Sequence, residues 1–231
     1  MTEKRALTPL RIATLLAGGL FVVALIYVVE QAIVALRALK PIELERDSWQ
    51  RPADIAGALD LKLGDTVVDL GSGVGYFTLK LSPIVGAKGT VVASDIREEA
   101  LAFLWIRTVL KGASNVRVTR ADVDDPRIPV APVDAVLILN TYHELEHPDR
   151  ILAIVLAHMK PGGRLVVVDR APRRTQEESH AAAVSHHEVT AATVERELEA
   201  AGFAIASRDD RFIDRPSDDD IWWLIAAAKP D

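Results

Sequence analysis

The stretch from Thr66 to Gly75, Thr-Val-Val-Asp-Leu-Gly-Ser-Gly-Val-Gly, constrains this chain more than any other. Thr66, Val67 and Val68 favour a strand and lead into an acid, Asp69. A loop with glycine at alternate positions follows, Gly71, Gly73 and Gly75, and a helical pattern begins at Tyr76. An apolar strand that passes through a glycine-rich turn into a helix N-terminus builds a nucleotide-binding crevice in a parallel sheet. Glycine lets the backbone approach a ligand closely and adopt dihedrals that a side chain forbids. The dinucleotide fingerprint is Gly-x-Gly-x-x-Gly. Here the third glycine arrives one place early, with Tyr76 where the fingerprint would put it, and that spacing disfavours a nicotinamide oxidoreductase.

Around this loop, short apolar runs alternate with helical patterns. Pro52 to Leu61 forms a short helix before the turn at Gly64. Tyr76 to Ile84 is the helix after the loop, Thr90 to Asp95 a second strand, and Arg97 to Lys111 a second helix closed by Gly112. Val116 to Arg120 is a third strand, with Ala121, Asp122 and Val123 at its tip. A loop spaced by Pro126, Pro129 and Pro132 precedes the strand Ala135 to Leu139. Asp149 to Met159 is helical and stops at Pro161-Gly162-Gly163, a helix-terminating signal. Arg164 to Asp169 is almost all Val and Leu, as in a parallel strand covered on both faces. Ala171 to Glu188 is polar and carries His180, His186 and His187. Thr190 to Ala201 is an amphipathic helix, and strands near Phe203 to Ser207 and Ile221 to Ala227 close the chain as a hairpin. The alternation predicts a doubly wound, mostly parallel sheet with right-handed crossovers.

The N-terminus is of another kind. Ile12 to Val29 is an uncharged run of 18 residues flanked by Lys4, Arg5 and Arg11. As a helix it would measure about 27 Å, close to the thickness of a bilayer core. A buried core helix would show a polar face, which this run lacks. A cleaved signal peptide has a shorter apolar region ending at small residues, whereas this run ends Val28-Val29-Glu30-Gln31. The expectation is a retained single-pass anchor within residues 1–40, a charged linker over 41–51 and a catalytic domain over 52–231. Basic residues on both flanks leave the orientation open. The net charge of −6 disfavours a nucleic-acid partner, and the absence of cysteine excludes disulfides, thiolate metal sites and cysteine nucleophiles.

Asp69-x-Gly71-x-Gly73-x-Gly75, a second acid at Asp95 ending the next strand, and the segment Met159 to Asp169 together resemble the class I S-adenosylmethionine (SAM)-dependent methyltransferases. The resemblance covers roughly residues 48 to 228. It implies a Rossmann-like sheet of seven strands, SAM as methyl donor, and a methyltransferase activity. It also implies that Asp95 accepts from both ribose hydroxyls, that Ile96 packs on adenine, and that Asp122, with the Val123 backbone, meets the adenine amino group. Helix N-capping is the competing role for Asp95, and a solvated loop position the competing role for Asp122. Asp69 would orient the glycine loop and the amino group of the methionine moiety. Asn140, after the fourth strand, would face the same crevice.

The acceptor side falls on Asn140-Thr141-Tyr142-His143-Glu144. The Asn/Asp-Pro-Pro-aromatic motif of base-modifying relatives has no counterpart here, since both proline positions differ, so a flipped-base substrate is not expected. A hydroxyl or acidic-carbon acceptor must lose a proton, and histidine has the intrinsic pKa for that step. His143 is the candidate general base, with Glu144 orienting it or meeting the acceptor and Tyr142 beside them. The alternative is that these residues only pack the start of the next helix. His180, His186, His187 and Glu188 are assigned no metal, because His186 and His187 are adjacent and would point apart. The expected activity is methyl transfer to a small-molecule or lipid-like acceptor at a membrane, with the domain on the cytoplasmic side. Two alternatives stand beside it, a SAM-binding sensor or scaffold without transfer and a protein carboxyl methyltransferase.

Overall fold

The computed structural model describes residues 9–129, 132–172, 188–216 and 220–231. The chain divides into two compact units, Met1–Ser48 and Trp49–Asp231. The first is dominated by one helix, α1 (Pro9–Trp49, 41 residues), with Pro41 inside it. The segment expected as a charged linker is therefore helical up to Trp49. Its residues Ile42 to Trp49 include no glycine and no second proline, so nothing after Pro41 breaks the helix. Among the described residues α1 is the one helix long and apolar enough to cross a membrane, by length and composition. Leu16, Leu20, Phe21, Val23 and Tyr27 are all exposed along it.

The second unit is a seven-stranded sheet. Its elements run α2 (Pro52–Ala58), β1 (Thr66–Leu70), α3 (Thr78–Val85), β2 (Thr90–Asp95), α4 (Glu98–Lys111), β3 (Val116–Arg120) and β4 (Val133–Leu139). A 3-10 turn (Tyr142–Glu144) comes next, then α5 (Pro148–His158), β5 (Met159–Arg170), α6 (Ala191–Ala200), β6 (Ala204–Arg215) and β7 (Asp220–Ala228). The strand order is β3-β2-β1-β4-β5-β7-β6. The first five are parallel, and β7 runs antiparallel to both β5 and β6. This is the expected doubly wound sheet closed by a hairpin.

Alternate residues of each central strand serve opposite faces, which explains why no polar stripe interrupts them. Val67, Leu137, Val166 and Val168 meet Ile55 and Leu59 of α2 and Leu81 and Val85 of α3 on one face. Val68, Val136, Ile138, Leu165 and Val167 meet Ile151, Leu152 and Val155 of α5 and Val194 and Leu198 of α6 on the other. The chain leaves β1 toward β2 on one side, while β4 lies on the other, so the strand order reverses between β1 and β4. Ligands in open α/β sheets sit outside the carboxyl ends of the strands at such a point.

Two boundaries differ from expectation in an instructive way. β5 begins at Met159, where it pairs with Val133, and Pro161-Gly162-Gly163 lies inside a register shift instead of ending a helix beyond the sheet. β6 runs on to Arg215 through Ser207-Arg208-Asp209-Asp210-Arg211, an exposed stretch with a bulge between Asp209 and Ile213. Charges on an edge strand discourage pairing with other chains, and they also hide the strand from a hydrophobic pattern.

Candidate active site

The glycine loop joins β1 to α3 and rests on the tip of β2. The Gly71 and Ser72 N–H groups both donate to the Ser94 carbonyl, at 2.8 and 3.1 Å, and the Gly75 N–H donates to Ser72 at 2.9 Å. Gly71 has φ +76, and a Cβ there would lie 2.2 Å from Thr141 Oγ1. Gly75 has φ +85, and a Cβ there would lie 2.1 Å from Leu104 Cδ1. The glycine spacing is thus fixed twice, by a left-handed backbone and by close neighbours. Asp69 is buried, and its Oδ2 accepts the Thr78 hydroxyl at 2.5 Å, so the acid ties β1 to the first turn of α3. Arg107 of α4 donates to the Val74 carbonyl at 2.6 Å and holds the loop from above.

Asp95 closes β2, and both of its oxygens are bonded within the chain. Its Oδ2 accepts the Gly73 N–H at 2.7 Å, and its Oδ1 accepts the Arg97 N–H at 2.9 Å just ahead of α4. The Arg97 side chain folds back onto the same carboxylate, with Nε 3.2 Å from Oδ1. Burial works against the charged form of Asp95, but Arg97 and the Gly73 N–H outweigh it and hold the carboxyl below the usual carboxylate range. Ile96, next in the chain, is half-exposed at 52%, and so is Val123 at 48%, as apolar groups facing a ligand space would be. Asp122 sits in a tight reciprocal turn with Asp125 and is ion-paired with Arg127.

The chemistry of these groups suits a cationic nucleoside ligand: backbone bare of side chains at Gly73, an acid held ionised at the β2 tip and the exposed Ile96 next to it. Ser72 adds a hydroxyl in the loop itself that is 7% exposed and has no hydrogen-bond partner among the described residues. A buried polar atom of that kind is satisfied when a ligand supplies the partner.

On the acceptor side the chain turns sharply after β4. Asn140 adopts φ +53 and its N–H donates to the Val168 carbonyl at 2.8 Å, which locks the turn to β5. Thr141 meets Gly71, so this turn lies against the glycine loop. Tyr142 and His143 then point differently. Tyr142 is fully buried among the α5 and α6 side chains, and its hydroxyl lies 2.7 Å from Glu197 Oε2. Burial and the facing carboxylate push its phenol pKa up. Tyr142 was expected at the acceptor. The structure seats it in the core instead, because the 3-10 turn directs it under the sheet. Replacing Tyr142 with Phe is expected to cost about 1 kcal/mol of stability and to leave turnover within about threefold, measured by thermal melts and initial rates.

His143 is only 3% exposed and pairs with a residue the sequence did not single out. Its Nδ1 lies 2.8 Å from Oδ1 of Asp169 at the β5 tip, and its backbone N–H donates to Asp169 Oδ2 at 3.1 Å. Asp169 is wholly buried and also accepts from the Arg170 N–H at 2.7 Å. Glu144 Oε1 stands 3.7 Å from the other ring nitrogen, Nε2, and its side chain is half-exposed. Burial opposes a charged ring here, yet Asp169 and Glu144 overcome it and raise the His143 pKa to about 9. An imidazole fixed by a buried acid at Nδ1 and faced by Glu144 at Nε2 has the base-and-orienter arrangement used in acid–base catalysis.

The local signal for Asp169 was available: it is an acid ending a parallel strand, as Asp69 and Asp95 are. Thr78 and Arg107 gave no signal, since their partners lie across the fold. Trp49 packs on Trp222 of β7 with ring centroids 5.7 Å apart and lies under Arg215, at 4.4 Å. His180, His186 and His187 lie outside the described residues. Among the described residues no group of three His, Cys, Asp or Glu side chains is placed to hold a metal.

The sheet order, the glycine loop and the acid at the β2 tip define a Rossmann-like SAM-dependent methyltransferase fold. The methyltransferase domain family matches residues 61–205, more than half of the chain, and the chain belongs to that family. Among relatives, the ubiquinone/menaquinone biosynthesis C-methyltransferase UbiE of Stutzerimonas stutzeri is 33% identical over 123 residues, covering 52% of this chain and 47% of that protein. The chain therefore matches about half the length of such curated relatives. Among solved structures, a SAM-dependent methyltransferase from Aquifex aeolicus superposes with a TM-score of 0.67 at 25% identity, over 80% of this chain and 92% of that one. The [4+2]-cyclase SpnF shares the fold with a TM-score of 0.65 at 19% identity, over 78% and 80% of the two chains.

Proposed function

We propose that this protein transfers a methyl group from SAM to a small, lipid-like acceptor, a quinol precursor methylated at carbon or an adjacent oxygen, at a membrane surface. The observation that carries this reading is the buried His143–Asp169 pair beside the glycine loop. SAM, when bound, supplies an electrophilic methyl group. Asp69 and the Gly71–Gly75 backbone hold the methionine end, Asp95 holds the ribose, and Ile96 and Val123 flank the adenine, with Asp122 at its edge. Asn140 and Thr141 border the space between donor and acceptor. The acceptor would attack the methyl carbon in line, S-adenosylhomocysteine would leave with the electron pair of the broken carbon–sulfur bond, and the proton lost from the acceptor's carbon or hydroxyl would pass to His143 Nε2. Asp169 keeps Nδ1 protonated and the ring in place, and Glu144 stabilises the imidazolium that results.

The quinol class is taken from the similarity to UbiE, whose printed name specifies C-methylation in quinone biosynthesis. The apolar helix α1 supports action at a membrane, since tethering concentrates an enzyme near acceptors dissolved in the bilayer. A cytoplasmic placement of the domain fits a donor made in the cytoplasm. A second reading, a SAM-binding sensor or scaffold, draws on the [4+2]-cyclase, because the same fold there carries a different reaction.

The test is labelled methyl transfer from SAM to a demethylated quinol in vesicles, followed across pH. A base with a pKa of about 9 is neutral in only about one ring in a hundred at pH 7. The rate should therefore rise roughly tenfold per pH unit from pH 7 and level off near pH 9. A flat profile would remove His143 as the base. Label that never leaves SAM with any quinol or lipid extract would favour the sensor.

A further inference from the structure

Both oxygens of Asp95 are already occupied by the chain itself. Besides the Gly73 and Arg97 N–H groups, Arg97 Nε lies 3.2 Å from Oδ1 and Nη2 3.4 Å from Oδ2. Nη2 is also the nearest atom to the space in front of Gly73, 3.5 Å from where a Cβ would stand. The guanidinium thus covers the acid and the middle of the glycine loop together, while its side chain remains 59% exposed and able to move. Glu144, on the acceptor side of the crevice, and Glu99 attract the same guanidinium. Two ribose hydroxyls donating to Asp95 would need the acceptor positions that Nε and Nη2 now take.

We propose that Arg97 is a latch on the cofactor site: its guanidinium takes the carboxylate positions on Asp95 that the ribose hydroxyls need, and it must swing off the acid for the ribose to bind. The proposal rests on the reading of Asp95 as the ribose acid. Its physical logic is an exchange. A carboxylate that is 4% exposed needs a partner in both states, and Arg97 supplies one until the diol does. The latch keeps the site ionised and shaped for a ligand, at the cost of part of the binding affinity.

The direction of the effect separates this from a simple ligand-binding arginine. Calorimetry with S-adenosylhomocysteine on the full chain in detergent should show Arg97→Ala binding roughly three- to tenfold tighter than the unaltered protein. The cofactor-free melting temperature of the variant should fall, because Asp95 has lost its side-chain partner. Arg97→Lys, which keeps the charge without the fork, should lie between the two and serves if the alanine variant does not fold. Equal or weaker binding by Arg97→Ala would overturn the latch. Asp95→Asn is the control for the underlying reading: loss of binding leaves the ribose assignment in place whatever Arg97 does, and unchanged binding removes both.

Discussion

Replacing His143 with Ala should lower turnover by roughly 10²–10⁴-fold while S-adenosylhomocysteine binding changes less than about threefold, the separation expected when a positioned general base is lost. The basis is geometric. His143 Nδ1 is committed to Asp169 at 2.8 Å, and Asp169 is itself held by two backbone N–H groups, so the ring cannot turn. Nε2 has the half-exposed Glu144 at 3.7 Å and lies beside the turn that packs on Gly71. The ring lies outside the carboxylates and backbone that hold the donor, which is why binding should survive. Asp169→Asn should give a comparable loss with the ring still present, since the amide can select the wrong tautomer and no longer stabilises the charged ring. The measurements are single-turnover methyl transfer and calorimetry on the same preparations. Turnover within tenfold of the unaltered protein would place the base elsewhere.

The second large effect concerns the loop. Gly75→Ala places a Cβ 2.1 Å from Leu104 Cδ1 at a residue with φ +85, and Leu104 is fully buried and has no room to retreat. Left-handed strain and overpacking each cost about 1–3 kcal/mol, so a loss of about 3 kcal/mol and a melting temperature lower by on the order of 10 °C are expected, with cofactor binding lost in parallel. Gly73→Ala is the contrast. Its φ of +53 is one that other residues tolerate better, and its nearest neighbour is the movable Arg97 Nη2 at 3.5 Å, so its cost should stay near 1 kcal/mol. Equal destabilisation by the two substitutions would show that Leu104 does not set the spacing of the loop.

Much of this was legible in the residues because the informative forces are local. Val67, Val68 and Val166 to Val168 are apolar without alternation, and that pattern alone places them in strands covered on both sides. The glycine spacing and the acids at 69 and 95 marked the crevice at the tips of β1 and β2, where the Gly73 N–H meets Asp95 and Thr78 meets Asp69. The acceptor end was half legible. The sequence names His143 as the candidate base, but its partner Asp169 lies 26 residues away, and no periodicity links a turn after β4 to the tip of β5. Tyr142 and His143 are neighbours in a 3-10 turn, so which one enters the core depends on whether Glu197 of α6 or Asp169 of β5 stands opposite. α1 ran past Pro41, and β6 ran through charged Arg208 to Arg211, because continuity of a helix or an edge strand does not need an apolar pattern.

The most direct measurement is a crystal structure of the full chain with S-adenosylhomocysteine. The account predicts the homocysteine along Gly71 to Gly75, the ribose on Asp95, and the His143 ring bordering the space beyond the sulfur, still paired with Asp169. A ribose held by any other group, or a sulfur whose open side is walled off from His143, would contradict it.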